Sequence, residues 1–335
     1  MNNSKLIAKN LIGRTYWQAP IVATRIGILD SVAHNLAAVK AIESACGIEI
    51  SSQTKKLREL MLAANIIKNH TQNLYFNVLP DFLGIDSGSE LSLAHPDLFK
   101  NVVKLQEFTD QILISIGGRI VHPITSVAGG FKSYPKENGL RVTSELSNQM
   151  IATARKTLDL FASLDLPISE PKLDFAALHM DREYAFYDGE IWTSKGDLYT
   201  EDKFLEFAHV LSSRTVERIT TGPLARYNLN QSHFDTKTKE LLDELKIGKK
   251  IENPSEIILA RAIEIYYFVI LSAEILNHFV KDGIKNEHII PPRKFSSGLS
   301  AIESSDGIII HYCKLNKDGT IEKYEIFTPL SSRPV

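Results

Sequence analysis

The sequence predicts an α+β protein that is mainly α, a helical bundle with small β appendages. Apolar residues recur at steps of three and four over several long segments, which is the pattern of amphipathic helices. Short strand-like runs are confined to the second half of the chain. With 335 residues, 44% of them hydrophobic, the chain is long enough to build a sizeable core.

The helices are predicted in order from this periodicity. The first spans Ser31 to Cys46, and Gly47 is a typical C-terminal stop. The second covers residues 54–78 and is expected to end at Pro80, because proline breaks a helix interior. Further helices are predicted over residues 96–116, 144–164, 201–211, 235–245 and 254–280.

Strands are predicted where β-branched and aromatic residues cluster between turn residues. These runs are residues 175–180, 183–192 around a turn at Asp188 and Gly189, 308–315 and 320–327. Residues 316–319 read Asn-Lys-Asp-Gly and predict a hairpin turn between the last two strands. Residues 132–137 and 246–253 are candidate boundaries, but neither is linker-like enough to separate independent domains.

Composition narrows the function classes. A net charge of −2 predicts no nucleic-acid partner. The longest apolar stretch, residues 257–280, carries Arg261, Glu264 and Glu274, so it is interpreted as a core helix and not as a transmembrane segment. Two cysteines and a polar start predict a cytoplasmic location.

An unusual motif lies near the start: GR at residues 13–14, APIV at 19–22 and RIGILDSVAH at 25–34. It resembles the first active-site motif of the large (alpha) subunit of NiFe hydrogenases. The match is to the cytosolic branch, whose members do not reduce the deazaflavin coenzyme or are linked to NAD(P). In that family two cysteines occupy the positions of Gly27 and Asp30.

Further blocks follow in the family's order over nearly the whole chain. They are NLAAVKAIESACGIEI at 35–50, LRELMLAANIIKNHTQNLYFNVLPDFLG at 57–84, GGRIVHPITSVAGGF at 117–131, TGPLARYNL at 221–229 and GLSAIESSDGIIIHY at 298–312. The resemblance implies a hydrogenase-large-subunit-like helical bundle, a single domain over residues 1–335 that is truncated at both ends relative to the family.

The resemblance also implies which ligands are replaced. In the family, four cysteine thiolates hold nickel and iron; Gly27 and Asp30 replace the first pair, and no counterpart of the second pair precedes Val335. Asp306 stands where an arginine covers the iron ligands. Because soft thiolates select these metals, we predict a degenerate member without a Ni–Fe centre, other metal or cofactor, and without hydrogenase activity. The remaining cysteines, Cys46 and Cys313, are interpreted as small apolar residues.

The residues expected to line the former active-site cleft are Arg25, Gly27, Asp30, His34, His70, Asp81, Glu303 and Asp306. Asp30 is interpreted first as a helix N-cap, with a ligand or proton-carrier role left open. For His34, a structural and a pocket role are equally open, whereas His70 is interpreted as a buried hydrogen-bonding group. If the carboxylates of Asp81, Glu303 and Asp306 lie close together in a closed cleft, one of them should hold a proton near neutral pH.

Three functions remain open. The first is a subunit of an electron-transfer complex that docks an iron–sulfur small-subunit-like protein near Trp17, Ile21 and Arg25. The second is a redox enzyme that uses the emptied cleft for a quinone-like substrate, as the related subunit of respiratory complex I does. The third is a decayed gene product.

Overall fold

Four long helices form the centre of the molecule. The computed structural model describes residues 3–168, 173–212 and 219–329. The four helices are α4 (Ser52–Gln72), α7 (Pro96–Gly117), α8 (Glu137–Ala162) and α12 (Ile257–Asp282). Helix α12 packs on α8 and α4, and α7 packs on α4 and α8, which closes a bundle. Their facing sides form the largest hydrophobic cluster, which includes Leu60, Leu105, Leu158 and Phe268. The predicted class, α+β and mainly α, is confirmed.

Helix α3 (Ser31–Cys46) connects this bundle to a sheet. Strands β7 (Ser297–Glu303), β8 (Ile308–Leu315) and β9 (Ile321–Phe327) form an antiparallel sheet in the order β7-β8-β9. The first two strands pack on α3. A Cβ atom at Gly298 would lie 2.2 Å from the Ala41 carbonyl oxygen, so the missing side chain lets β7 cross the helix backbone closely.

The other elements surround these two units. The remaining helices are α1 (Asn3–Leu11), α2 (Ala19–Ala23), α5 (Leu79–Leu83), α6 (Leu91–Ala94), α9 (Phe204–Ser212), α10 (Pro223–Asn230) and α11 (Thr236–Glu244). A short hairpin joins β1 (Ser126–Val127) and β2 (Gly130–Phe131). A second sheet has the order β5-β4-β3-β6 and contains β3 (Asp174–His179), β4 (Glu190–Thr193), β5 (Leu198–Tyr199) and β6 (Ile219–Thr220).

Two local predictions are wrong. Helix α4 continues through a π-helical segment, Asn73–Val78, into α5, where Pro80 lies in the first turn and the end comes at Gly84 with φ 65°. A proline is tolerated there because the first-turn N–H groups need no helical partner. Of the predicted strand 183–192, only residues 190–192 form a strand, as part of β4 (Glu190–Thr193). Tyr184 and Tyr187 are both buried, although residues three apart on a regular strand point to opposite faces.

Candidate functional site

The loop of residues 25–30, between α2 and α3, is held by polar contacts from other elements. The Leu29 carbonyl accepts hydrogen bonds from Asn65 Nδ2 (2.8 Å) and Asn69 Nδ2 (2.9 Å), both on α4. On the other side, the backbone N–H of His122 donates to Ser31 Oγ at 3.2 Å. These hydrogen bonds tie the end of the loop to α4 and the start of α3 to the turn at His122.

Asp30 occupies the N-cap position of α3, but the predicted capping role is wrong. Its φ of −97° and ψ of 21° lie outside the extended region that capping residues normally adopt, and its side chain makes no capping hydrogen bond. The carboxylate instead accepts hydrogen bonds from Ser305 Oγ (3.1 Å) and Asn69 Nδ2 (3.3 Å). Asp30 therefore joins the loop to the segment after β7.

The surroundings of Asp30 favour its protonated form. Burial and the nearby charge of Asp306 raise the pKa of Asp30 to about 6, although the hydrogen bonds to Ser305 oppose the change. Asp306 itself is about half exposed and pairs with Arg261 at 2.8 Å. The pKa of Asp30 therefore lies closer to neutral pH than that of an ordinary aspartate, and burial also raises the pKa of Glu303, one of the three carboxylates named from the sequence.

A fully buried ionic network lies next to this loop. Arg226 donates two hydrogen bonds to Glu264, at 2.6 and 2.7 Å, and a third to Glu303 at 2.8 Å. His70 Nε2 contacts Glu264 at 2.7 Å, and the Tyr184 hydroxyl donates to Glu264 at 2.6 Å. The network joins α4, α10, α12, β7 and the loop before β4 around one guanidinium group.

The charges of this network are unequally shared. Burial opposes ionisation of Glu264, yet Arg226 holds the pKa of this carboxylate well below its usual range. Burial raises the pKa of Glu303, with Arg226 opposing, and burial lowers the pKa of His70 to about 4. A neutral His70 must donate from Nε2 to the ionised Glu264. Its Nδ1 atom then has no hydrogen-bond partner among the described residues.

Two glycines bring Arg226 to Glu303. Gly222 (φ 90°) and Gly307 (φ 137°) lie in contact, and each has a backbone conformation that L side chains rarely adopt. A Cβ atom at Gly222 would be 2.6 Å from the Asp306 carbonyl oxygen, and one at Gly307 would be 2.2 Å from Thr221 Oγ1. The TGPLARYNL and GLSAIESSDGIIIHY blocks therefore interlock through their backbones.

His34 is buried and pairs with a second histidine. Its Nδ1 atom contacts His311 Nε2 at 3.1 Å, and His311 Nδ1 contacts the Tyr324 hydroxyl at 2.9 Å. Burial lowers the pKa of His34 to about 3. Burial and the neighbouring His34 keep the pKa of His311 well below its usual range. Of the two alternatives for His34, the contacts favour a hydrogen-bonded structural role.

The other predicted residues are not gathered around Asp30. Arg25 and Asp81 are exposed. Gly27 is extended, with φ −153°, and a Cβ atom there would meet nothing within 4 Å. The loop of residues 25–30 contains Arg25, Gly27 and Asp30. The buried network contains His70 and Glu303. Asp306 belongs to neither group and pairs with Arg261.

The donor atoms present do not fit a thiolate-bridged Ni–Fe centre. Gly27 offers no side chain, and Asp30 supplies a hard oxygen ligand in place of sulfur. Cys46 and Cys313 lie together in a separate hydrophobic cluster, where burial raises their pKa values to about 11 and 12. They are therefore thiols and poor ligands. Within the described ranges, no group of three histidine, cysteine or acidic side chains could hold a metal ion.

Two cavities lie elsewhere in the molecule, on either side of the loop of residues 181–189. Their volumes are about 640 and 240 Å³, and both are lined by Lys55, Tyr187 and Asp188. Lys40 and Lys55 each pair with Asp188 at 2.6 Å. Neither cavity is lined by Asp30, Asp306 or the loop of residues 25–30.

The fold is that of hydrogenase large subunits. It matches the crystal structure of an NAD⁺-reducing [NiFe]-hydrogenase in its H₂-reduced state with a TM-score of 0.82 and 17% identity, covering 96% of this chain and 80% of that one. It also matches [NiFeSe]-hydrogenase from Dm. baculatum with a TM-score of 0.72 and 17% identity, covering 96% and 81%. At these identities the structures show the fold alone.

The sequence comparisons are more specific. The family model described as nickel-dependent hydrogenase matches residues 7–95. The alpha subunit of sulfhydrogenase 2 from Pyrococcus furiosus is 27% identical over 323 residues, covering 95% of this chain and 77% of the relative. The chain is thus similar to large subunits of nickel-dependent hydrogenases over most of its length. Another relative, from the vhu F420-non-reducing hydrogenase of Methanocaldococcus jannaschii, is 27% identical and covers 93% and 83%. The predicted family is confirmed.

Several residues of the site were not identified from the sequence. Arg226 lies inside the TGPLARYNL block and His311 inside the GLSAIESSDGIIIHY block, so their positions in those blocks were the available signal. Arg261 and Glu264 interrupt an otherwise apolar helix, which is itself a sign of buried partners. No feature of the sequence indicated that Asn69 contacts the loop of residues 25–30. No helix within the described ranges is both long enough and apolar enough to cross a bilayer.

Proposed function

We propose that this chain is a non-hydrogenase subunit of an electron-transfer complex, in which it docks an iron–sulfur small-subunit-like protein and holds no Ni–Fe centre. The observation that carries the proposal is the loop of residues 25–30. Asn65 and Asn69 bond to its Leu29 carbonyl, and His122 bonds to Ser31 directly after it, although the loop supplies no thiolate. A loop that is bonded to its neighbours while Gly27 and Asp30 replace the two cysteines is consistent with selection for a binding surface.

The surface around this loop is unusually apolar. Trp17 is 51% exposed, Ile28 68% and Leu29 52%. We call these three residues, with Arg25 between them in sequence, the docking surface. Exposed groups of large apolar side chains mark interaction sites, and tryptophan and arginine are frequent at the energetic centres of interfaces. The two relatives named above are each called a subunit of a hydrogenase, which is consistent with a chain that works in a multi-subunit complex.

A tagged copy of the chain, expressed in its native host, tests the docking. We expect a stable complex with one iron–sulfur protein, identified by mass spectrometry, and loss of that complex in Trp17→Asp and Leu29→Asp. Leu93→Asp is the matched control, because Leu93 is 86% exposed on α6, outside the docking surface. Recovery of a monomer without an iron–sulfur partner would contradict the proposal and favour a decayed gene product.

Metal analysis of the same complex tests the loss of the Ni–Fe centre. We expect no stoichiometric nickel and no hydrogen-dependent dye reduction, because the first thiolate pair is replaced by Gly27 and Asp30. Stoichiometric nickel would contradict this part of the proposal without affecting the docking.

One observation favours the redox-enzyme alternative: Asp30, with its pKa near 6, could exchange a proton with a bound substrate. Against it, the two cavities described above do not reach Asp30. Turnover of a quinone analogue that depends on Asp30 would make this alternative the better one.

A further inference from the structure

Arg25 of the docking surface has two basic neighbours, His122 and Arg119. His122 Nδ1 donates a hydrogen bond to the carbonyl of Thr24 at 2.9 Å, which places the imidazole next to the peptide that leads into Arg25. Arg119 belongs to the same turn as His122, three residues earlier. Both guanidinium groups are close enough to lower the pKa of His122, in addition to the effect of burial.

Among the residues that the structure describes, neither arginine has an anionic partner. No hydrogen bond or ion pair of the Arg25 or Arg119 guanidinium group is found within that part of the chain, and both side chains are exposed. By contrast, the guanidinium groups of Arg58, Arg226 and Arg261 are all paired with carboxylates. Like charges that are held together without a counterion repel each other, so this cluster is more stable when an anion binds.

The backbone at His122 fixes the cluster in place. This residue has φ 57°, in the left-handed region that a side chain other than glycine rarely occupies. The conformation is held on both sides, because the backbone N–H donates to Ser31 Oγ and the ring donates to Thr24. Since Nδ1 is the donor, Nε2 remains as the atom that can take up a proton and bind an anion.

From these contacts we infer that Arg25, Arg119 and His122 form an oxyanion-binding site at the edge of the docking surface, and that it receives a carboxylate of the docked protein. The inference rests on the proposed function. Guanidinium groups bind carboxylates through two parallel hydrogen bonds, and a protonated imidazole would add a third donor. A carboxylate of the partner is favoured over a free anion because Arg25 belongs to the same exposed segment as Ile28 and Leu29, the apolar side chains that a partner would cover.

The first experiment uses the chain alone, labelled with ¹³C at histidine Cε1, and follows the His122 signal by NMR. The signal is assigned with His122→Gln. Acetate and inorganic phosphate are titrated separately at constant ionic strength. We expect a saturable shift with each anion, and its loss in the Arg25→Gln/Arg119→Gln double variant. Arg293→Gln is the matched control, since Arg293 is also an exposed arginine but is paired with Glu49 at 3.6 Å.

The second experiment measures the affinity of the iron–sulfur protein recovered in the pull-down. We expect Arg25→Glu/Arg119→Glu to weaken binding by at least about tenfold at low salt and to flatten its salt dependence. Leu29→Asp should weaken binding by disrupting apolar contact and leave the arginine-dependent salt effect in place.

The outcomes separate the two proposals. No NMR shift together with unchanged affinity would overturn the oxyanion site while the docking stands. A shift with unchanged affinity would mean that the site takes a free oxyanion, which overturns the partner carboxylate. Absence of any iron–sulfur partner for the wild-type chain would overturn the proposed function and this use of the site, whatever the NMR result.

Discussion

At the scale of single residues, the environment of a side chain decides its role more than its place in a motif does. Asp30 stands at the start of α3, yet its carboxylate bonds to Ser305 and Asn69. His34 lies in the first turn of the same helix, yet its ring bonds to His311. Both partners come from distant parts of the chain, so neither role follows from local sequence.

The first prediction concerns Asp30. Its pKa is about 6 in the folded chain and about 3.9 when unfolded. Between these values the folded state binds more protons, so this group's contribution to the free energy of unfolding falls as pH rises through that window. We expect Asp30→Asn to raise the free energy of unfolding at pH 7.5 by about 1 kcal/mol, and much less at pH 4.

Urea unfolding at the two pH values measures this effect, with the exposed Asp81→Asn as control. Destabilisation by Asp30→Asn at pH 7.5 would instead favour a capping or ion-pairing role for the carboxylate.

The second prediction concerns His34. Its pKa is about 3 in the folded chain and about 6.5 when unfolded. The unfolded state therefore binds more protons between these values, and stability falls as pH drops through that window. At pH 7 we expect the free energy of unfolding of His34→Gln to be about 1 kcal/mol below that of the wild type, because a buried hydrogen bond is lost. Between pH 7 and pH 5 the wild type should lose more of its free energy of unfolding than the variant, by on the order of 1–2 kcal/mol.

Urea titrations at both pH values test the prediction. His278→Gln is the control, because that histidine is on the surface with 59% of its side chain exposed. An identical acid sensitivity in His34→Gln and wild type would show that His34 is not the titrating group.

At the scale of elements, close backbone contacts connect pieces that the periodicity predicts separately. Helix α3 and strand β8 have the predicted bounds. Their packing, however, depends on β7, a strand that was not predicted, and on Gly298 within it. The periodicity of apolar residues predicts whether each segment is a helix or a strand. The close crossing of β7 over α3 depends instead on glycine at position 298, which has no side chain.

The third prediction tests this crossing. We expect Gly298→Ala to lower the free energy of unfolding by more than about 2 kcal/mol, because its Cβ atom would lie 2.2 Å from the Ala41 carbonyl oxygen and 2.3 Å from the Ala45 nitrogen. Gly27→Ala is the matched control, since its Cβ atom would meet nothing within 4 Å. Thermal unfolding that is equally affected by both changes would contradict the packing argument.

At the scale of the whole molecule, the Arg226 network joins the bundle to the β7 sheet. Its members come from positions 70, 184, 226, 264 and 303. A buried ion pair adds little net stability when it is complete, but removing one member leaves the others charged and without partners. Loss of one member is therefore expected to weaken the contacts among all of these elements.

The fourth prediction is that Arg226→Met lowers the free energy of unfolding by about 3–5 kcal/mol, since Glu264 and Glu303 lose their only guanidinium partner in the network. Arg155→Met is the control, because the Arg155 pair with Glu244 is exposed and should contribute less than about 1 kcal/mol. The triple variant Arg226→Met/Glu264→Gln/Glu303→Gln should be more stable than Arg226→Met. If it were not, unpaired buried charge would not be the cause of the destabilisation by Arg226→Met.

The sequence by itself determined the family, the class of the fold, most long helices and the replacement of two ligand positions by Gly27 and Asp30. Helix type follows from local periodicity, and the family follows from motifs that are contiguous in the chain, so both can be read from the sequence. Tertiary structure alone decided that Asp30 bonds to Ser305, that Arg226 meets Glu264 and Glu303, and that α4 continues past residue 72 through a π-helical segment. Those pairings join residues far apart in the chain, and their energies depend on burial, which only the folded molecule defines.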